Sequence, residues 1–250
     1  MRVLFCTDGS KISYASIKNF SKWVKDFTAD VICAIDWSFL PDSVTIEDSE
    51  FAMKCTNSAD SILDYTETYF EEIGVRLGEK IKICGSTVDC IMEACEKKSY
   101  DVIILGSNGK KGIQKWLGSV SQEIASVAKY STYIAKENRL SSKILITVDD
   151  SQISENVCLK ALEMLDLSDK ELSLATVYEM PDYLFLEGNV DSGWFSEIDK
   201  KQEIAARILL NKYEKLFLDR GVNVHSKVTL SGNPANEILK YSDKMDIDLI

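Results

Sequence analysis

The sequence predicts an α/β protein with two tandem domains, each an open parallel sheet with helices on both faces. Short apolar runs alternate with stretches of helical periodicity along the chain of 250 residues. The sequence also repeats itself: residues 3–10 (VLFCTDGS) resemble 144–151 (ILITVDDS), and Asp101-Val-Ile-Ile resembles Asp248-Leu-Ile. We therefore predict a first domain at 1–138 and a second at 139–250, joined by a short polar linker.

The elements of the first domain follow from their apolar patterns. A continuous apolar run indicates a strand that is buried on both faces of a parallel sheet, whereas apolar residues three and four apart indicate a helix. The last predicted helix follows a glycine-bearing loop, and the last strand is short. The predicted strands are 2–6, 30–35, 80–84, 101–105 and 132–136, and the predicted helices are about 12–27, 51–74, 87–97 and 119–129.

The second domain repeats this order up to the start of its fourth strand, where the sequence given ends at Ile250. A parallel strand with no covering helix after it would leave apolar sheet exposed, so we expect the natural domain to be longer. The predicted strands are 143–148, 171–177 and 222–230, and the predicted helices are 152–165, 195–218 and 233–243.

Composition and charge exclude several classes of function. The net charge of −11 gives no electrostatic basis for binding nucleic acid or an anionic membrane, and no apolar run approaches the roughly 20 residues of a membrane-spanning helix. Seven cysteines without a CxxC pair argue against a disulfide framework and indicate a reducing, cytoplasmic location.

Enzymatic functions also lack their usual residues. The single histidine, His225, is predicted to face solvent, so a multi-histidine metal site is excluded and a Ser-His-Asp triad is disfavoured. No P-loop motif and no nucleophile elbow occur, and no two carboxylates stand out as a catalytic pair. We therefore predict no catalytic residues and no metal ligands.

The loop after the fourth strand, residues 106–121, has the composition of an anion-binding segment. Its glycines let the backbone approach a phosphate, and Gly118-Ser119 opens a helix whose N-terminus attracts negative charge. Ser119 and Ser121 add hydroxyl groups, and three lysines add positive charge. The alternative is an ordinary loop before a serine-capped helix. The lysines are Lys110, Lys111 and Lys115.

Two other strand ends are predicted to lie beside this loop, because ligands of parallel sheets bind at the carboxyl ends of strands. Asp8 ends the first strand and could bind a ribose hydroxyl, an adenine amine or a metal near the phosphates; alternatively, it caps the following helix. Ala34 ends the second strand, where free backbone groups could bind an adenine edge.

Taken together, these residues resemble the universal stress protein family over both halves of the chain. The family loop runs Gly, two residues, Gly, nine residues, Gly and then Ser or Thr; here only eight residues separate the second and third glycines. The resemblance implies a five-stranded, Rossmann-like (adenine nucleotide alpha hydrolase-like) sheet that binds ATP or AMP, with or without Mg²⁺. The matching positions are Asp8, Ala34, Gly106, Asn108, Gly109, Gly118, Ser119 and Ser121.

The resemblance also implies dimer-like pairing through the last strands, either between the two domains or with a second copy. The second domain has Asp150 where the first has Gly9, and it lacks the glycine loop within the residues given, so we interpret it as degenerate. The leading hypothesis is a stress-response regulator that binds ATP or AMP through its first domain. The alternatives are a scaffold that acts through protein contacts without nucleotide, and a slow ATPase.

Overall fold

The computed structural model describes residues 1–36, 50–107, 118–127, 129–135, 142–180 and 192–250. The chain divides into two compact units, Met1–Asn138 and Arg139–Ile250. Each unit contains a parallel sheet with helices packed against it, which confirms the predicted α/β class. Within the parts of the chain that the structure describes, no helix combines the length and the apolar character needed to cross a membrane.

The first unit is a five-stranded parallel sheet with the strand order β3-β2-β1-β4-β5. The chain moves outward from β1 to β3 and then returns to the other side of β1, so the direction of winding reverses between β1 and β4. The elements are β1 (Arg2–Cys6), α1 (Lys11–Trp23), β2 (Thr28–Ile35), α2 (Glu50–Ile73), β3 (Arg76–Cys84), α3 (Thr87–Lys97), β4 (Val102–Gly106), α4 (Ser119–Val127) and β5 (Ser131–Ala135).

The central strand β1 is buried on both faces. The Phe5 ring packs against Tyr14 of α1 and Phe70 of α2, with ring centroids 6.2 and 5.7 Å apart. Its neighbour Leu4 belongs to a core cluster that includes Ile91 of α3 and Ile124 of α4. Because successive side chains of a strand point to opposite faces, α1 and α2 cover one face of the sheet and α3 and α4 cover the other.

The strand β3 begins four residues before its predicted start. It is an edge strand whose residues are exposed or half-buried, so it lacks the continuous apolar run that marks the central strands. Lys80 lies 2.9 Å from Asp64, and Lys82 lies 2.6 Å from Asp60, both carboxylates being on α2. The polar residues that obscured this strand therefore link it to its covering helix.

The second unit forms a three-stranded parallel sheet in the order β6-β7-β8, and Leu249 adds a parallel bridge to Ile144 on the free side of β6. His225 is exposed, as predicted. It precedes β8, which begins four residues later than expected. Residues 222–225 lie before the strand. The elements are β6 (Lys143–Thr147), α5 (Gln152–Met164), β7 (Glu171–Tyr178), α6 (Ser192–Leu218), β8 (Ser226–Ser231) and α7 (Pro234–Met245).

Candidate functional site

A cleft of about 180 Å³ lies at the carboxyl ends of β1, β2 and β4 in the first unit. Its position coincides with the reversal of strand order between β1 and β4, where parallel sheets leave a crevice for ligands. Six of the eight predicted site residues line this first-unit cleft, although they come from four separate segments of the sequence. They are Asp8, Ala34, Gly106, Gly118, Ser119 and Ser121.

The other two predicted residues, Asn108 and Gly109, lie outside the described residues, and so do the three lysines of the loop. Asp8 is the one charged side chain among the described residues that line the cleft. Among the described residues, the positive potential at the cleft therefore comes from the helix N-termini around it.

Asp8 follows β1 and is exposed to solvent at the mouth of the cleft. Its carboxylate accepts a hydrogen bond of 3.0 Å from the Ser10 N–H, which closes a tight turn. Ser10, and not Asp8, is the N-cap of α1, because its hydroxyl accepts from the Ser13 N–H. Asp8 therefore shapes the turn before α1 while one side of its carboxylate remains available to a ligand.

The position of Ala34 depends on the different lengths of two neighbouring strands. The pairing of β1 with β2 ends at Cys6, and the last hydrogen bond between these two segments runs from Thr7 N–H to Ile32 C=O. Backbone groups two residues apart on a strand point to the same side, so those of Ala34 also face the β1 side. Since β1 has already ended there, these groups face the cleft and can bind the edge of a flat polar ring.

Gly106 ends β4 where the sheet meets the first turn of α1. A methyl group on Gly106 would lie 2.9 Å from Ser13 N and 3.0 Å from Ile12 C, so the helix backbone occupies the space of a side chain. Gly106 therefore has a packing role beside its place in the lining of the cleft, where its contact with a phosphate stays a prediction. The close approach places the N-terminus of α1 beside the cleft.

We expect Gly106→Ala to destabilise the first unit. The added methyl group would clash with backbone atoms of α1, which cannot move aside by a rotation as a flexible side chain could. Overpacking of this kind costs about 1–3 kcal/mol. Hydrogen exchange of the β1 and β4 amides, read by mass spectrometry, measures the change within the first unit. Protection equal to that of the wild-type protein would contradict the close packing, and the amides of β6 and β7 provide the internal control.

The N-terminus of α4 provides the phosphate side of the cleft. Gly118 precedes the helix, and its carbonyl accepts the first helical hydrogen bond, from Gln122 N–H at 2.9 Å. The N–H groups of the first turn have no acceptor within the helix and point outward from its end. The Ser121 hydroxyl donates to Gly106 C=O at 3.0 Å and so ties α4 to the end of β4. Ser119 is exposed at the cleft and keeps its hydroxyl for a ligand.

Several residues of the cleft were not predicted from the sequence. Thr7 and Ser13 are buried hydroxyl residues, and Thr87 is the first residue of α3. Thr7 stands directly before Asp8 in the sequence, but a single threonine at a strand end is too common to indicate a binding site. Apolar residues complete the wall of the cleft. The unpredicted residues are Cys6, Thr7, Ser10, Ser13, Ile32, Thr87, Ile91, Leu105 and Val120.

Cys6 lines the cleft as a buried thiol. Burial, assisted by the nearby Cys95, raises the pKa of Cys6 well above its usual range, so this thiol is uncharged at neutral pH. Within the described part of the chain, no group of three or more His, Cys, Asp or Glu side chains is arranged to hold a metal ion. The described part of the cleft offers a ligand hydroxyls, backbone groups, one carboxylate and apolar walls.

Comparisons with known proteins agree with this architecture. The model of the universal stress protein family matches residues 1–136 and again 141–250. Universal stress protein MJ0531 of Methanocaldococcus jannaschii is 28% identical over 120 residues, which make up 48% of this chain and 68% of that protein. The crystal structure of a universal stress protein from Archaeoglobus fulgidus shares the fold with a TM-score of 0.69 at 23% identity, covering 98% of this chain and 84% of that chain.

A structure from Pseudomonas aeruginosa shares the fold as well, with a TM-score of 0.59 and 11% identity over 98% of this chain and 79% of that chain. At these identities the solved structures support the fold, whereas the two matches to the family model cover nearly the whole sequence. The chain therefore belongs to the universal stress protein family and carries two copies of its domain.

Proposed function

We propose that the first unit binds an adenine nucleotide, ATP or AMP, in the cleft between β1 and β4, and that its role is regulatory. One observation carries the proposal: the fold brings six of the eight predicted site residues to one cleft at the switch in strand order. Family membership supports a stress-response role for the protein.

The parts of the cleft suit different parts of a nucleotide. The first turn of α4 and the Ser119 hydroxyl would bind phosphate oxygens, because N–H groups at a helix N-terminus favour an anion. Asp8 would accept hydrogen bonds from ribose hydroxyls, and the backbone of Ala34 would bind the adenine edge. Apolar residues such as Ile32 and Leu105 would exclude water from the base. We propose Mg²⁺ only as a companion of the phosphates, since Asp8 alone cannot hold it.

We propose that binding, and not turnover, is the activity of this site. ATP hydrolysis needs a group that positions the attacking water and groups that stabilise charge on the transferred phosphoryl. Asp8, the charged residue of the described lining, sits in a turn before α1, whereas the phosphate groups would lie at α4. A bound nucleotide would then act by stabilising one conformation of the first unit or one contact with a partner.

A matched pair of substitutions tests nucleotide binding. We expect Asp8→Ala to weaken binding of a fluorescent ATP analogue at least about tenfold, because a hydrogen bond to a charged group contributes about 1.5–3 kcal/mol. The control is Asp149→Ala, which makes the same change at the equivalent position of the second unit and is expected to leave the affinity unchanged. Absence of binding to the wild-type protein, or equal affinities of all three proteins, would refute the proposal.

The alternative of a scaffold without nucleotide predicts a different result in a simpler experiment. Mass spectrometry of the small molecules released from freshly purified protein would recover an adenine nucleotide under our proposal and none under the alternative.

Pairing through the last strands stays a prediction. Within the described residues of the first unit, β5 is an edge of the sheet and is therefore open to such pairing.

A further inference from the structure

The two units contain the same short segment with different hydrogen bonding. In the first unit it runs from Thr7 to Ser13, and in the second unit the equivalent segment runs from Val148 to Ser154. Each segment joins the first strand of its unit to the following helix and contains an aspartate after the strand. The internal duplication therefore allows one aspartate to be compared with the other within a single chain.

In the first unit, Ser13 is bonded away from Asp8. The Ser13 hydroxyl donates to Ser10 C=O at 2.8 Å, and its oxygen lies 2.9 Å from the Thr7 hydroxyl. Because the Ser13 hydrogen is used on Ser10, the Thr7 hydroxyl is the donor between them. The Thr7 oxygen also accepts from Gly9 N–H at 3.1 Å. Among the described residues, the hydrogen bond found for the Asp8 carboxylate comes from Ser10 N–H.

In the second unit, the equivalent serine binds the aspartate. The Ser154 hydroxyl donates to Asp149 Oδ1 at 2.5 Å, and its oxygen accepts from Asp149 N–H at 2.9 Å. The Ser151 hydroxyl donates to the same carboxylate oxygen at 2.5 Å. The hydrogen bonds from Ser151 and Ser154 lower the pKa of Asp149. This carboxylate is therefore bound by its own turn and is less available to a ligand.

The residue before each aspartate accounts for the difference. Val148 stands where the first unit has Thr7, and valine has no hydroxyl to donate to the serine. Ser154 instead accepts from Asp149 N–H, which places its hydroxyl beside the carboxylate. The two turns also differ at their next position, where Gly9 has a φ of +78° and Asp150 does not share this left-handed conformation. A substitution at Thr7 or Val148 alone therefore tests the effect of the hydroxyl without changing Gly9 or Asp150.

We propose that Thr7 is a positioning residue of the nucleotide cleft: it holds the Ser13 hydroxyl away from Asp8 and so keeps the Asp8 carboxylate available to the ligand. This inference rests on the proposed function for the ligand and on the hydrogen bonds of the two turns for the mechanism. Thr7 is 7% exposed and lines the cleft beside Asp8, and we assign its effect to the hydrogen bond that it makes with the Ser13 hydroxyl.

The first test replaces Thr7 within the full chain. We expect Thr7→Val to weaken binding of the fluorescent ATP analogue about tenfold, because Asp8 then exchanges its ligand for the Ser13 hydroxyl. Thr7→Ser keeps the hydroxyl and is expected to bind like the wild-type protein. A crystal structure of the Thr7→Val variant is expected to show Ser13 Oγ within hydrogen-bond distance of the Asp8 carboxylate. A structure with these groups still apart would overturn the proposal.

The second test makes the reverse change in the second unit and does not use nucleotide binding as its readout. We expect Val148→Thr to draw the Ser154 hydroxyl away from Asp149, so the pKa of Asp149 rises toward its ordinary value. Val148→Ala, which removes bulk without adding a hydroxyl, is the control and is expected to leave this pKa low. An NMR titration of the Asp149 carboxyl carbon measures both variants, and an unchanged midpoint in Val148→Thr would count against the mechanism.

These tests separate the inference from the function on which it rests. If the wild-type protein binds no nucleotide, the proposed function fails, while the crystal structure and the Asp149 titration still decide whether the threonine controls the turn. If the wild-type protein binds and Thr7→Val binds equally well, the proposed function stands and the positioning role of Thr7 fails. The Asp149 titration remains informative even if Thr7→Val does not fold.

Discussion

Asp30→Asn is expected to lower the free energy of unfolding of the first unit by about 3 kcal/mol, a typical cost of breaking a buried ion pair. Asp30 lies on β2 and is fully buried. Arg2 donates to both of its carboxylate oxygens, at 3.1 and 3.0 Å. The Lys98 ammonium lies 2.7 Å away, Tyr100 OH donates at 2.9 Å, and Glu79 N–H donates at 2.9 Å.

The asparagine would fit the space but could not serve these donors. One of its two oxygen positions becomes an NH₂ group, which faces donors and not acceptors. Both cations would also lose the negative charge beside them. The side chains of Arg2 and Lys98 are 41% and 25% exposed, so they can turn partly toward water, which keeps the expected loss at the lower end of the range.

The same carboxylate makes the stability of the first unit sensitive to acid. Burial alone would raise the pKa of Asp30, but the hydrogen-bonded Arg2, the ion pair with Lys98 and the hydrogen bonds from Glu79 N–H and Tyr100 outweigh it and hold the pKa well below the ordinary 3.8. A lowered pKa contributes stability that is fully present above the unfolded-state value and is lost as the pH falls below it. Below about pH 4 the wild-type unit is therefore expected to lose stability more steeply than Asp30→Asn.

Hydrogen exchange of the β1 and β2 amides, measured at neutral pH and again in acid, checks both expectations within the first unit. Asp26→Asn is the matched control, since the Asp26 side chain is 96% exposed and lies 3.8 Å from an exposed arginine. It is expected to change stability by less than about 0.5 kcal/mol. Equal exchange in the two variants would show that the buried network does not stabilise the sheet.

Gly78→Ala is expected to destabilise the first unit by a comparable amount, about 3 kcal/mol, through the same carboxylate. A methyl group on Gly78 would lie 2.0 Å from Asp30 Oδ1, closer than any two such atoms can approach. The φ of Gly78 lies outside the left-handed region, so alanine itself fits the backbone. The cost therefore comes from the displaced carboxylate, which must leave Glu79 N–H or Arg2.

A double substitution tests this origin. In an Asp30→Ala background the clash is absent, so adding Gly78→Ala is expected to be neutral or slightly stabilising, because alanine restricts the unfolded chain more than glycine does. Urea unfolding or amide exchange of the four proteins completes the cycle. A cost of Gly78→Ala that is independent of residue 30 would contradict the explanation.

Features that rest on local patterns were predicted well from the sequence. Continuous apolar runs identified the central strands, and the repeat identified two domains of one family, which the comparisons confirm. The cleft was anticipated because topology alone places the ends of β1, β2 and β4 at one edge. The roles of single residues at that edge were less predictable. Gly106, for example, leaves the space that the backbone of α1 occupies, and this role is visible only from the position of Ser13 in the fold.

The Asp30 network was not predicted, because its members are far apart in the sequence and none is distinctive alone. Asp30 appeared only as a polar residue at the start of a strand, and Gly78 lay before the predicted start of β3. The structure joins them through a shift in register: Ala29 pairs with Leu77 and Val31 with Lys80, so β3 has one extra residue opposite Asp30. This shift in register leaves Glu79 N–H free to bind the Asp30 carboxylate. No pattern in the sequence predicts the shift.

The strand order of the first unit has a mechanical consequence. Strands β1 and β4 are registered over three residue pairs, whereas β1 and β2 are registered over five. The two halves of the sheet therefore meet along a short seam, and the cleft lies across one end of that seam. Under the proposed function, a nucleotide that contacts both Asp8 and α4 would link the two halves. Its binding would therefore stabilise the sheet of the first unit against separation of β1 from β4.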